Sequence, residues 1–558
     1  MPVTGWLPGY DYRRLLRFDA IAGATVWGLL VPEMIAYAGL AGLPPQAGLY
    51  TLLATLAAYA IFGTSRHVIV AGTSAAAVLL ASTVGDIAVS HDDYLANSAA
   101  LVLFVGGMLL AAGCLRLGFI AQFLSRPVVE AFVFGLAIFV TVKQLPKLLG
   151  ISGGSGDTIA QLAHVLTHLG DTSGATLLLG VAALALLFGA ERFAPRVPGG
   201  LLALALGILV SAAFHLSSHG VAIVGKVPSG LPSVDVPSIS SHEVPTLIAA
   251  AGGMLLVIYS ESLGAAQNFA TKHRYEIDPN QELIALGVAN AGSAFVGGLA
   301  AGGSLSQSAV NEGAGARSEA SALVAAALMV VTVLVLTPLF TDLPEAVLAA
   351  LIIHAVSHLW KLKAFERYYA ERRIEFLLAL ATLLGVITID VLPGLVIGVV
   401  SMLLLVIYHA SRPHIAILAR VPGDSGAFAD IARHPGYEPI PGLLALRLEA
   451  PLMYANATLV RDRVKYLVGA SDLLPSAVVL DIGVSDELDV TSAETLEELV
   501  TALREADVDF ALADVRQPVR RQMKRAGLLE KIGDDRIYLT VDDAIQSLAP
   551  ALPTPGDR

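Results

Sequence analysis

Long apolar runs recur along the chain and stop near Arg412. They predict fourteen membrane segments, near 18–40, 48–62, 68–84, 97–115, 128–149, 173–190, 199–216, 247–270, 280–296, 304–316, 318–339, 343–359, 373–391 and 394–411. A helix that crosses the hydrocarbon core needs roughly 20 apolar residues. The third and the tenth of these segments read as half-length. Beyond Arg412 the pattern changes to short apolar stretches that alternate with amphipathic ones. Leu443–Glu449, Ala477–Ile482 and Phe510–Val515 read as strands. Between and after them come a helix that Asn456 is placed to cap, running to about Val468, an acidic helix Thr491–Ala506 and a basic helix Pro518–Ala526. Alternating strands and helices predict a small α/β domain.

The two half-length segments organise the rest. Residues 63–84 read GTSRHVIVAGTSAAAVLLASTV and break at Gly72 into a helix of about three turns. Residues 297–317, GGLAAGGSLSQSAVNEGAGAR, repeat that character with Gly-rich irregular backbone followed by a short Ser-containing helix. A helix that starts at such a break begins near mid-bilayer, with its free N–H groups turned inward. Broken segments at matching places in two halves mark the substrate site of many transporters, because those N–H groups hold anions. Seven segments precede the loop at about 217–246 and seven follow it, so the second set is inverted with respect to the first. The predicted organisation is a membrane domain over 1–412, with repeat one at about 15–216 and repeat two at about 247–411. A linker follows at 413–440, then an α/β domain at 441–550 and a tail at 551–558.

Composition supports a polytopic membrane protein: 55% of the residues are hydrophobic and 15% charged, with a mean hydropathy of +0.70. The net charge of −12 gives no footing to nucleic acid, and 15 of the 35 Lys and Arg lie after Arg412. The one cysteine, Cys114, excludes an intramolecular disulfide and reads as a packing residue. Arg13, Arg14 and Arg17 lead into a long apolar run, which reads as a first span and not as a cleavable signal. With the N-terminus inside, 17 basic residues up to Arg412 fall on the cytoplasmic side and only Lys143, Lys147 and Lys226 outside. The positive-inside rule then puts both termini in the cytoplasm of a cell whose inner membrane holds the protein.

Several polar residues interrupt the apolar runs. Pro32 loosens the first span and Glu33 sets a carboxylate at about mid-bilayer depth, where it must be paired, hydrated or protonated. Tyr37 lies one turn beyond it, as a pocket wall or as aromatic filler. In the eighth span Glu261, flanked by Ser260 and Ser262, reads either as a proton carrier or as a structural acid joining two domains. Glu312 and Glu319 read as solvated acids at a segment end. At the breaks, Gly72, Thr73 and Ser74 match Ser304, Ser306, Gln307 and Ser308. Close helix packing also selects Gly and Ser, but recurrence at two matched positions favours anion binding. The 13 histidines are scattered, and no nucleophile–base or metal constellation is evident, so an enzyme is not expected and no cofactor is implied.

With VPEMIAYAGLAGLPPQAGLY, GTSRHVIV, YSESLGAAQNFA and GGSLSQSAVNEGAGARSE in this order, the chain resembles the sulfate permease (SulP) family, which includes prestin and pendrin. The C-terminal part resembles that family's STAS domain. The resemblance implies core and gate domains of seven-plus-seven spans, an anion held between the third and tenth helices, and an elevator-like motion. It also implies pocket roles for Glu33, Tyr37, Thr73, Ser306 and Gln307. Many relatives have Gln where this chain has Glu33, some have Arg where it has Gln307, and the usual Gly-Pro is here Ala71-Gly72. A pocket that gains a carboxylate and lacks a cation repels an anion: unit charges about 4 Å apart at an effective dielectric near 20 interact by roughly 4 kcal/mol. Protonation removes that repulsion. The expected function is therefore proton-coupled symport of a small anion such as fumarate or another dicarboxylate, sulfate or bicarbonate, with Glu33 or Glu261 carrying the proton. A nucleobase permease of the same architecture, an uncoupled anion channel and a sensor are the alternatives. The expected partners are the anion, the proton and the bilayer; a homodimer is left open. In DELDVTSAETLEEL, Thr491 and Ser492 lie near the phosphorylatable serine of related regulatory domains, with helix capping as the plainer reading.

Overall fold

The computed structural model describes residues 3–548 apart from 9, 86, 120–124, 155, 195–197, 238, 424–425 and 472. The tail read at 551–558 and the last two residues of the predicted 441–550 domain lie outside the described residues. The chain divides into two compact units between Met402 and Leu403.

The first unit is helical. A single turn, α1 (Val3–Trp6), precedes α2 (Tyr12–Leu40) and α3 (Pro45–Phe62). Strand β1 (Val70–Gly72) then leads into α4 (Ser74–Gly85), followed by α5 (His91–Cys114), α6 (Arg126–Leu149), α7 (Thr158–Thr167), α8 (Gly174–Phe193) and α9 (Gly199–Phe214). The second set begins with α10 (Val244–His273) and α11 (Pro279–Phe295), and β2 (Ala301–Gly303) leads into α12 (Leu305–Gly313). It closes with α13 (Ala320–Val331), which continues through π and 3₁₀ turns to Phe340, then α14 (Glu345–Ser357), α15 (Leu362–Glu371), α16 (Arg373–Thr388) and α17 (Val391–Ser411). Among the described residues, nine helices are long and apolar enough to cross a membrane. All fourteen predicted segments overlap a helix, and only the two half-length ones are strand-then-helix.

The two sets meet through small residues. Helices α5 and α11 cross so closely that a Cβ at Gly106 would lie 2.6 Å from the Ala291 nitrogen and 3.0 Å from the Gly287 oxygen. Without a hydrophobic drive between helices in lipid, such backbone approach and its dispersion contacts supply the packing. Gly107, on the other side of the same turn, would meet nothing within 4 Å.

The second unit is built on a six-stranded sheet in the order β4-β3-β5-β6-β7-β8. Its strands are β3 (Ile415–Arg420), β4 (Phe428–Asp430), β5 (Leu443–Leu448), β6 (Ala477–Asp481), β7 (Asp509–Ala513) and β8 (Ile537–Tyr538). Strands β5 to β8 run parallel, and β3 is antiparallel to both of its neighbours. Leu446, Val478, Leu480, Phe510 and Leu512 pack on one face under α18 (Ala457–Gly469), α19 (Val490–Glu505), α20 (Gln517–Arg525) and α21 (Leu528–Ile532). Leu443, Ala445, Ala477, Val479 and Ala513 point to the other face, which α22 (Val541–Leu548) covers. This alternation is the period of two that a strand imposes.

Three expectations need correction here. The stretch read as a linker, 413–440, supplies β3 and β4 to the sheet; both are short and separated by a Gly-containing turn, which disguised them. Asn456 precedes α18 but does not cap it: its Oδ1 accepts from the Met453 N–H at 3.0 Å, and its Nδ2 donates to the Ala410 and Pro451 carbonyls. Ser492 is buried and donates its hydroxyl to Asp489 at 2.8 Å, so the helix cap is Asp489 and only Thr491 of the pair is exposed.

Gly106→Val forces α5 and α11 apart, and thermal unfolding in detergent should show a loss of about 1–3 kcal/mol, whereas Gly107→Val changes little. In the second unit, burial works to raise the Asp489 carboxyl. The hydrogen bonds from the Ser492 N–H and hydroxyl and the Tyr454 N–H outweigh burial and hold it below its ordinary value. A depressed carboxylate stabilises the fold above its unfolded pKa, and that contribution is lost as pH falls through the folded value. Amide protection over Val490–Glu505 in the full chain, with the intrinsic exchange rate divided out, should therefore fall below about pH 4. Asp489→Ala should do the same at neutral pH, by about 1 kcal/mol.

Candidate functional site

The site is built on a ladder that joins the two broken segments. Strands β1 and β2 pair antiparallel, with Val70 opposite Gly303, Ala71 opposite Gly302 and Gly72 opposite Ala301. A ladder of three pairs leaves most of its outward N–H and C=O groups open, and inside a bilayer no water is at hand to satisfy them. Side chains from neighbouring helices do so. Asn290 of α11 accepts from the Ala301 N–H at 2.8 Å and donates to the Ala301 carbonyl at 2.9 Å. Ser262 of α10 accepts from the Gly303 N–H at 2.7 Å, and Thr51 of α3 accepts from the Leu299 N–H at 2.7 Å. Ser308 of α12 reaches back to the other segment and accepts from the Ile69 N–H at 2.9 Å. Gly303 must be Gly, because a Cβ there would lie 2.8 Å from Val68 and 3.1 Å from the Ser262 backbone.

Each strand hands over to its half-helix through a hydroxyl cap. Thr73 accepts from the Ala76 N–H at 3.2 Å, and Ser304 accepts from the Gln307 N–H at 3.5 Å. The remaining first-turn N–H groups of α4 and α12 keep the partial positive charge of a helix start. Ser74 is the first residue of α4 and half-buried, while Ser306 is exposed, with its hydroxyl 3.0 Å from that of Ser304. Among the described residues no hydrogen bond runs directly between Thr73 or Ser74 and Ser304 or Ser306.

What brings the two breaks to one place is α2. Gln307 of α12 donates its Nε2 to Glu33 Oε2 at 2.8 Å, and the adjacent Met34 places its sulfur 3.1 Å from where a Cβ on Gly72 would stand. One turn further, buried Tyr37 lies within electrostatic reach of both Glu33 and Glu261. Neither carboxylate has a cationic partner, and Glu261 makes no hydrogen bond among the described residues. The buried Gln307 also has its Oε1 without a partner. Glu33 is thus bonded to the first turn of α12 and near Tyr37, with no ion pair to Glu33 or Glu261 among the described residues.

Other acids have settled roles or new ones. Glu312 is bonded to Lys272 at 2.7 Å and to His273 at 2.8 Å, as expected of a solvated acid. Glu319 departs from that reading: it is buried, and both carboxyl oxygens lack a partner. Glu282, fully buried, accepts from the Tyr59 hydroxyl at 2.8 Å and from Thr64. The sequence reading missed Thr51, Asn290 and Glu282, because a lone polar residue in an apolar run gives no sign of the distant backbone it serves.

Comparison with known proteins places this geometry. The model of the sulfate permease family matches residues 16–382, and that of the STAS domain matches 434–544. A probable sulfate transporter of Mycobacterium tuberculosis is 35% identical over 553 residues, covering 98% of this chain and 99% of the relative. The chloroplastic sulfate transporter 4.1 of Arabidopsis thaliana is 30% identical over 98% of this chain and 82% of its own length. Among solved structures, the murine Solute Carrier 26 family member A9 anion transporter shares the fold with a TM-score of 0.92 at 21% identity, over 98% of this chain and 94% of the other. The transmembrane domain of a cyanobacterial bicarbonate transporter, BicA, shares it with a TM-score of 0.61 at 22% identity, over 70% and 97%. A helical membrane domain followed by an α/β STAS domain, with relatives of this kind along its whole length, makes this chain a multi-pass anion transporter of the sulfate permease family and not an enzyme.

Proposed function

We propose that the protein is a proton-coupled symporter of a small oxyanion, with sulfate as the first candidate, held between the starts of α4 and α12. Both termini are assigned to the cytoplasm on the charge asymmetry of the loops. The observation that carries the coupling is the Gln307–Glu33 hydrogen bond. It holds a carboxyl group against the first turn of α12, with no Lys or Arg paired to it among the described residues.

The physics then follows from charge. A helix start supplies roughly half a unit of positive charge, and two of them about one. An ionised Glu33 would cancel much of that potential and repel each unit of anionic charge by roughly 4 kcal/mol at contact distance. Loading the anion together with a proton on Glu33 or Glu261 leaves the helix starts as the dominant field. Thr73, Ser74 and Ser306 then supply hydroxyl donors, and Tyr37 closes the wall. Because β1 and β2 are hydrogen-bonded to each other, α4 and α12 travel together in an elevator-like step that exposes the bound anion to either side. The names of the relatives favour sulfate; bicarbonate and a C4-dicarboxylate such as fumarate are the competing substrates for the same donors.

Purified protein in liposomes tests this. Uptake of labelled sulfate should accelerate when the outside is made acidic relative to the inside, and unlabelled sulfate should compete better than fumarate or bicarbonate. Saturable uptake of fumarate alone would transfer the assignment to dicarboxylates. Glu33→Gln should transport without responding to the proton gradient. If Glu261→Gln alone loses the response, Glu261 is the carrier, and if both variants keep it, proton coupling by these residues is wrong. Thr73→Val and Ser306→Ala each remove a donor to a charged ligand, worth about 1.5–3 kcal/mol. The half-saturation concentration should rise roughly tenfold or more in each, with little change in thermal stability for Ser306→Ala and a loss of about 1 kcal/mol for Thr73→Val, which also removes the α4 cap.

A further inference from the structure

Away from the anion site, the ends of α8 and α14 bring together three side chains with metal-ligand chemistry. His354 Nε2 lies 3.0 Å from Glu191 Oε2, and His358 Nε2 lies 2.9 Å from Glu191 Oε1. All three candidate donor atoms fall within 4.8 Å of one another. The histidines are four residues apart, which sets both imidazoles on the same face of α14. We propose that Glu191, His354 and His358 form a binding site for a divalent transition-metal ion, Zn2+ in the first instance, that ties α8 to α14.

The placement of the protons favours an ion. His358 Nδ1 is 3.1 Å from the His354 backbone carbonyl, and a carbonyl only accepts, so the proton of neutral His358 resides on Nδ1. Its Nε2 lone pair then faces a carboxylate oxygen at 2.9 Å, acceptor against acceptor. Something positive must sit between them, either a second proton on the ring or a metal ion. A hydrogen bond from Nδ1 to a backbone carbonyl is also the usual outer-shell device that orients a metal-binding imidazole. The distances suit an ion: bonds of about 2.0–2.1 Å in a tetrahedron set ligand atoms about 3.3 Å apart. With one oxygen of Glu191 as the ligand, the three donor atoms, all within 4.8 Å of one another, reach that spacing by small side-chain adjustments. Two imidazoles and one carboxylate leave a fourth position for water, a set that suits Zn2+ and, more generally, divalent ions late in the first transition row.

The surroundings allow it. Phe188, one turn before Glu191, packs its ring edge-on to His354 at 4.8 Å and gives the site one apolar wall. The side chains of Glu191 and His358 are about half exposed, at 49% and 50%, so an ion has a way in. No Lys or Arg is paired with Glu191 among the described residues. A second grouping, His414, Asp430 and Glu449, contrasts with it: the Arg433 guanidinium lies 2.9 Å from Glu449 and 3.7 Å from Asp430, so a cation is already provided.

Full-length protein in detergent, stripped with a chelator and titrated calorimetrically with Zn2+, tests the site. One ion per chain is expected, and Glu191→Gln and His358→Gln should each weaken binding roughly tenfold or more. The double variant His164→Gln/His168→Gln removes another histidine pair four residues apart that, among the described residues, forms no such grouping with an acid, and it should bind as the wild type does. Zn2+ should raise the melting temperature of the wild type but not that of the Glu191 and His358 variants. Co2+ in the wild-type site should give the strong visible absorption of a four-coordinate ion, a readout that does not depend on any variant folding. The proposal is overturned if stripped wild-type protein takes up no stoichiometric Zn2+. It is equally overturned if the Glu191→Gln/His358→Gln protein binds as tightly as wild type, or if Co2+ gives only the weak spectrum of the hydrated ion. Each of those results leaves a protonated His–Glu ion pair as the occupant.

Discussion

The membrane unit depends on one requirement, that backbone polar groups cut loose within a low-dielectric layer be satisfied by the protein itself. Interrupting two helices frees such groups at two places. The chain satisfies them by pairing one break with the other in the β1–β2 ladder and by spending Asn290, Ser262, Thr51 and Ser308 on what the ladder leaves open. The short helices and the placing of Gln307 against Glu33 follow from that solution. None of these side chains need touch a solute for the site to depend on them.

Most of the architecture was legible because hydrocarbon is an exacting solvent. An apolar run long enough to span it is hard to mistake, and all fourteen segments overlap a helix. Shorter features were harder. Strands β3 and β4 have six and three residues and pair with each other, with β3 alone joining them to β5, so runs this short showed no local period that distinguished them from a linker. In the STAS domain, Asp489 was passed over as the cap in favour of Thr491 and Ser492. Several residues there have cap chemistry, and only the backbone geometry at Asp489 decides among them.

For the site, Glu33, Gly72, Thr73, Ser306 and Gln307 stood out as polar or glycine positions where an apolar helix should continue. The sequence carried no sign that Gln307 would be bonded to Glu33, since 274 positions separate them. Glu319 shows the opposite error. Its place near a segment end suggested solvent, yet the packing of α13 against α2 encloses it, and helix ends are not surfaces when neighbouring helices extend past them.

The ladder has a consequence for biogenesis. Strand β1 emerges from the ribosome long before β2, which must await the whole of α5 to α11. Until then the first broken segment has no partner strand, and its freed amide and carbonyl groups have to be tolerated by the translocon, by water or by a chaperone. Maturing the membrane unit therefore includes a late, long-range closure. A chain stalled before α12 would hold every helix of the first set, with α10 and α11, around an unfinished centre.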